Sequence, residues 1–272
     1  MRIASFLTPD NRPAFGPVRD GQVQAVTNHP DLRAALAAGG EFETGPAYDL
    51  SDITLLPPVT NPDKIICIGL NYLTHIKETG RDRPSHPPIF TRYPSSLTGH
   101  GQPLVRPAIS DWFDFEGELA VIIGASGRNI AEADAMQHVA GYTCFNDGSI
   151  RDFQRHTSQF WPGKNFDASG SMGPWLVTAD EIPDPTTLTM ETRLNGAVMQ
   201  STPISDLAFT IPQLIAYVST ITRLLPGDVI ATGTPGGVGL FREPKLFMQP
   251  GDTIEVEIPG IGTLTNPVAA EA

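Results

Sequence analysis

A chain of 272 residues, 40% of them hydrophobic, is long enough to bury one sizeable core with a small appended unit beside it. A formal charge of -12 and a pI near 4.8 argue against a nucleic-acid or anionic-membrane surface, because either needs clustered Lys and Arg. No apolar run approaches the roughly 20 residues of a membrane-spanning helix, and Met1–Leu7 has no leader-like apolar region, so the expected location is cytoplasmic. Gly and Pro, 26 of each, punctuate short β-rich segments, which predicts many strands, few helices and an α+β, β-dominated fold. Cys67 and Cys144 sit in apolar, strand-like contexts that suit reduced buried thiols better than a disulfide.

In chain order, strands are predicted near Met1–Leu7 and Gln22–Val26, followed by a short helix over Asp31–Ala38 that stops at Gly39 and Gly40. The Pro-rich stretch from Leu55 to Pro62 reads as a stiff connector. It divides a small N-terminal α+β domain, 1–58, from a main domain, 59–272. Lys64–Gly69 reads as a buried strand, and the segment after it makes one helical turn carrying His75 and Glu78. Their spacing of three sets them side by side. A carboxylate on one ring nitrogen orients the imidazole and leaves the other nitrogen to take a proton, although an ordinary exposed His-Glu pair has the same spacing. The other five histidines have no comparable partner.

The run Asp111–Gly124 is the most informative stretch. Side chains alternate along a strand, so Asp114, Glu116 and Glu118 share one face while Phe113, Phe115, Leu119 and Val121 take the other. Like charges at a partly buried strand end repel each other unless a hard divalent ion turns the repulsion into coordination, so Glu116 and Glu118 read as metal ligands. A helix is predicted over Ala131–Val139. Beyond the strand Gly141–Phe145, Asp147 could bind the same cation or merely cap a turn, and a short helix after it would set Arg151 and Gln154 toward the same volume. Lys164, after the bend Phe160–Gly163, would offset the third carboxylate and help hold an anionic substrate. A longer helix from Ile211 to about Arg223 opens on Thr210 as N-cap. The Gly-rich turn Ala231–Gly239 offers backbone N–H groups and the Thr234 hydroxyl to a carboxylate, and the tail Ala269–Ala272 reads as frayed.

Five motifs in order, Gly69-x-Asn-Tyr-x-x-His75, Phe115-Glu-Gly-Glu118, Asn146-Asp-x-Ser-x-Arg-Asp-x-Gln154, Gly163-Lys-x-Phe-Asp167 and Thr232-Gly-Thr-Pro-x-Gly-Val-Gly239, closely resemble the fumarylacetoacetate hydrolase family from about residue 60 to the C-terminus. The resemblance implies a β-roll catalytic domain, a homodimer, and Mg²⁺ (or Mn²⁺ or Ca²⁺) on Glu116, Glu118 and Asp147. It implies a water-activating dyad of His75 and Glu78 on a lid, with Lys164 stabilising the leaving enolate. Arg151, Gln154, Thr234, Tyr72 and Arg92 are then substrate contacts, Arg92 standing where many members carry a Lys-Pro step. The expected reaction is metal-dependent hydrolysis of a C–C bond in a 2,4-diketo acid, either an acylpyruvate or a diketo-deoxy acid. Oxaloacetate decarboxylation and 2-oxo acid hydration or isomerisation are the alternatives on the same scaffold, and a Ca²⁺-stapled binding module is the alternative without catalysis.

Overall fold

A computed structural model describes residues 1–272. Its centre is the strand Gly117–Ile123, in which all seven residues are buried. Both faces of this strand are covered, so its sequence is an almost unbroken apolar run. Leu119, Val121 and Ile123 enter one core cluster, and Ala120 and Ile122 enter another.

The strand belongs to a twelve-stranded sheet. Ten strands run in the order Thr44–Asp49, Gln22–Val26, Pro13–Arg19, Arg2–Leu7, Gly170–Thr178, Val139–Asn146, Gly117–Ile123, Val229–Ala231, Ile65–Ile68 and Ile89–Arg92. Thr54–Leu56 and Leu97–Thr98 pair alongside this path. The N-terminal strands therefore extend the central sheet, joined to it by the antiparallel pairing of Arg2 with Val177 and Ile3 with Leu176. A five-stranded sheet, Ala197–Pro203, Thr189–Leu194, Thr253–Ile258, Gly262–Ala270 and Leu104–Arg106, packs through Val256, Ile258 and Leu264 into the larger core cluster. The fold is thus a β-dominated α+β arrangement.

Four α-helices accompany the sheets: α1 (Leu32–Ala37), α2 (Leu73–Thr79), α3 (Arg151–Gln154) and α4 (Ile211–Ile221). The Asp31 side chain caps α1 by accepting from the Ala34 N–H at 2.8 Å. Thr210 and Gln213 form a reciprocal capping box at the start of α4, whose Ile211, Leu214, Ile215 and Val218 line the core.

Three local expectations are refined or corrected. Asp111–Gly124 is not one strand: Phe113–Asp114 pairs with Ser149–Ile150 in a separate two-stranded sheet, and the main strand begins at Gly117. Phe113 and Phe115 consequently sit in a third cluster with Ile150 and Met248, away from Leu119 and Val121. The helix expected over Ala131–Val139 is present as a 3-10 helix, Glu132–His138, and the chain passes directly from it into a strand at Val139. The C-terminal tail is tied down as far as Ala270, which pairs with Arg106.

Replacing Thr210 with Ala removes one half of the capping box and leaves a first-turn N–H unmet. The expected loss is about 1 kcal/mol of unfolding free energy, and a denaturant midpoint indistinguishable from the parent's would contradict the assignment.

Candidate active site and metal centre

The break between Asp114 and Gly117 builds the site, because it turns the two flanking carboxylates to different tasks. Glu118 lies on the main strand, Glu116 immediately before its first residue, and Asp147 at the exit of the neighbouring strand Val139–Asn146, whose Asn146 pairs with Gly117. The Asn146 side chain accepts from the Glu116 N–H at 3.0 Å, and the Asp147 N–H donates to the Glu116 carbonyl at 2.8 Å. The carboxylates of Glu116, Glu118 and Asp147 each offer an oxygen within 4.8 Å of the others, and all three residues are buried.

Three cations surround the triad. The Lys164 ammonium donates to Glu116 Oε2 at 2.7 Å, to Asp147 Oδ2 at 2.6 Å and to the Asp147 carbonyl at 3.1 Å. Arg151 approaches Glu116 Oε1 at 2.6 Å and is anchored by Asp114 Oδ2 at 2.8 Å. Asp114 also accepts from the N–H groups of Gly239 and Leu240, so it positions Arg151 and the Gly-rich turn. Arg92 stands behind Asp147, donating to its Oδ1 at 2.7 Å, and its other N–H groups go to Ser96, Gly148 and Ser169.

Glu118 differs from its neighbours. No cationic side chain pairs with it, and its Oε2 accepts the Gly233 N–H at 2.8 Å. Burial first, and then the charges of Asp147 and Glu116, push its carboxyl well above the ordinary range. Burial also opposes ionisation of Glu116, but Lys164 and Arg151 outweigh it and hold that carboxyl at about 2. Lys164 is raised: desolvation works against its charge, and Asp147 and Glu116 override it. Three buried oxygen donors, one lacking a counter-charge, suit a hard divalent cation, and each carboxylate keeps lone pairs beyond those given to Lys164.

The triad opens into a cavity of about 630 Å³. Its wall includes His75, Glu116, Glu118, Arg151, Gln154, Lys164 and Thr234. His75 Nδ1 lies 2.9 Å from Glu78 Oε2, and Glu78 Oε1 accepts the Gly237 N–H at 2.8 Å, which ties α2 to the Gly-rich turn. The start of α2 is fixed by Asn71, whose side chain bonds the backbone of Phe209 and Thr232, and by Asp206, which accepts from Thr74. Arg151 and Gln154 meet across one turn of α3 at 3.0 Å, and Arg151 Nη2 is buried with no protein partner. The Thr234 hydroxyl donates to the Gly117 carbonyl and accepts from Gln200, so its proton is spent within the protein.

Tyr72 and Arg92 lie outside the cavity wall. Tyr72 is a fully buried member of the main core, and the five donors of Arg92 all meet protein acceptors. Asp114, Asn146 and Gln200 emerge in supporting roles that local sequence did not assign to them. Asp114 was legible only as a third member of the acidic face, and Gln200 lies in a strand with no motif around it.

Comparison with known proteins identifies the family and the fold. Residues 64–269 match the family model described as fumarylacetoacetate (FAA) hydrolase C-terminal, and residues 1–58 match one described as Rv2993c-like, N-terminal. A mitochondrial oxaloacetate tautomerase of Xenopus laevis is 46% identical over 220 residues, 80% of this chain and 69% of that protein. The structure of a fumarylacetoacetate hydrolase from Exiguobacterium antarcticum superposes with a TM-score of 0.89 at 37% identity, covering all of both chains. A 5-carboxymethyl-2-hydroxymuconate delta-isomerase from Mycobacterium smegmatis does so with a TM-score of 0.85 at 35% identity, again covering all of both chains. The chain belongs to the fumarylacetoacetate hydrolase family.

Adding Mg²⁺ at about a hundred times its dissociation constant should stabilise the protein by about 2.7 kcal/mol, read as a rise in melting temperature. Glu118→Gln should abolish that rise. An unshifted melting curve of the parent protein in Mg²⁺ and in Mn²⁺ would contradict the assignment.

Proposed function

We propose that this member of the fumarylacetoacetate hydrolase family is a tautomerase of 2-oxo acids of the oxaloacetate type, moving a proton between C3 and the C2 oxygen to interconvert keto and enol forms. The observation that carries the reading is an imidazole tethered at Nδ1 in the same cavity as a buried carboxylate centre ringed by Lys164 and Arg151. A tautomerase needs one base that reaches carbon and one positively charged pocket for the enolate oxygen, and this site offers both. The name of the 46% identical Xenopus protein supports the same reaction.

Glu78 holds the His75 ring at Nδ1, leaving Nε2 to exchange a proton with C3. Arg151 Nη2, buried without a protein partner, is the donor left for the charge that develops on the C2 oxygen, and the Lys164 ammonium adds positive charge beside it. Gln154, in the same wall, is placed to orient the carboxylate next to C2. Mg²⁺, or Mn²⁺ or Ca²⁺, held by Glu116, Glu118 and Asp147 would add Lewis-acid charge at the 2-oxo acid end and so acidify the C3 hydrogens. The proton leaves carbon and returns to oxygen, so the reaction consumes no water and breaks no C–C bond.

Hydrolytic C–C cleavage of a 2,4-diketo acid is the second reading. The cavity's apolar side, with Phe90, Phe160 and Phe241, leaves room for a longer acyl group, and the same dyad would deprotonate water instead of carbon.

The two readings separate on products. With Mg²⁺ present, the protein should accelerate the decay of enol-oxaloacetate absorbance, and His75→Ala should lower that turnover about 10² to 10⁴-fold without weakening Mg²⁺ binding. Acetylpyruvate should remain intact by NMR. Release of acetate and pyruvate, with enol-oxaloacetate decaying at its uncatalysed rate, would replace tautomerisation by hydrolysis.

A further inference from the structure

Charge is distributed unevenly along the cavity. At the inner end the wall carries Glu116, Glu118, Arg151 and Lys164, all engaged in ion pairs or hydrogen bonds within the protein. Beyond them the wall is uncharged, formed by residues such as Leu70, Thr79, Phe90, Ser158 and Phe160, except at two positions. Those positions are Arg81 and Arg155.

Both arginines are exposed, and neither side chain takes part in an ion pair or hydrogen bond of the protein, in contrast to Arg92, Arg151 and Lys164. Their origin is parallel. Arg155 is the C-cap of α3, one turn beyond Arg151, and Arg81 follows Gly80, the left-handed C-cap of α2, three residues beyond Glu78. Each helix that delivers chemical groups to the inner end therefore also delivers a cation farther along the same wall. The acids next to them do not cancel this charge within the cavity. Asp82 is outside the wall, and Asp152 accepts from the Ser110 hydroxyl and the Phe153 N–H.

Charge balance gives these arginines a task. Asp114, Glu116, Glu118 and Asp147 exceed Arg92, Arg151 and Lys164 by one negative charge, and a divalent ion would leave the inner end with one positive charge. One carboxylate satisfies it. A second carboxylate on the same substrate needs its own cations, in a protein whose overall charge of -12 repels it. A guanidinium fork suits a carboxylate geometrically.

Resting on the tautomerase reading, we propose that Arg81 and Arg155 bind the second carboxylate of the substrate and set a preference for 2-oxo dicarboxylates over 2-oxo monocarboxylates. Binding of 2-oxoglutarate and of 2-oxopentanoate, equal in carbon number, should be compared by calorimetry in Mg²⁺. The parent protein should favour the diacid by about tenfold or more, and the Arg81→Gln/Arg155→Gln double variant should bring the two within about twofold. Oxalate, which fills only the inner end, should bind the double variant as it binds the parent, showing that the variant is folded. Equal binding of the two acids by the parent, no binding of either, or a preference that survives in the double variant would overturn the inference. Failure of the parent to tautomerise oxaloacetate would defeat the proposed reaction alone, because the binding ratio requires no turnover.

Discussion

Three carboxylates held out of water within 4.8 Å of one another are the constraint around which the rest of this molecule is arranged. Buried ions are tolerated only when paired and hydrogen-bonded, and removing one partner leaves an uncompensated charge. Arg92 behind Asp147, Arg151 beside Glu116 and Lys164 between them supply that pairing, and Asp114 in turn secures Arg151. The scheme leaves Glu118 without a cation. That single imbalance leaves the cluster able to hold a metal ion rather than closed as a salt-bridge network.

The fold delivers this charge cluster economically. One central strand, buried on both faces and apolar over most of its length, fixes Glu118 and, at the residue just before its start, Glu116. The adjacent strand sets the third through its exit turn. α2 is held by different means, as a short helix whose first turn is bonded by Asn71 and Asp206 and whose Glu78 bonds the Gly-rich turn. The imidazole is thereby oriented by contacts from two distant parts of the chain, the segment at Asp206–Phe209 and the Gly-rich turn. A base positioned this way serves proton transfer at carbon or at water equally well. On the proposed reading, the choice between tautomerisation and hydrolysis belongs to the substrate and to the cavity wall beyond the inner end.

Much of the inner site is readable from sequence because its chemistry is compressed into short motifs. Period two brings Glu116 and Glu118 together, spacing three brings His75 to Glu78, and the capping signal at Thr210 and Gln213 locates α4. Long-range relations are not readable in this way. Nothing near Asp114 announces that the strand breaks after it, since the two faces of the break are covered by different core clusters. Arg92 reads as a substrate contact until its five donors are seen to meet Ser96, Asp147, Gly148 and Ser169. Tyr72 follows the same logic: its motif is local, but its ring belongs to the core. The Pro-rich connector marks a change in composition, yet pairing through Arg2 and Ile3 carries one sheet across it.

The most direct measurement is the anomalous scattering of crystals grown with Mn²⁺. One peak within coordination distance of Glu116, Glu118 and Asp147 together is the predicted result. A peak elsewhere, or none while the Lys164 ammonium still joins Glu116 to Asp147, would contradict the account.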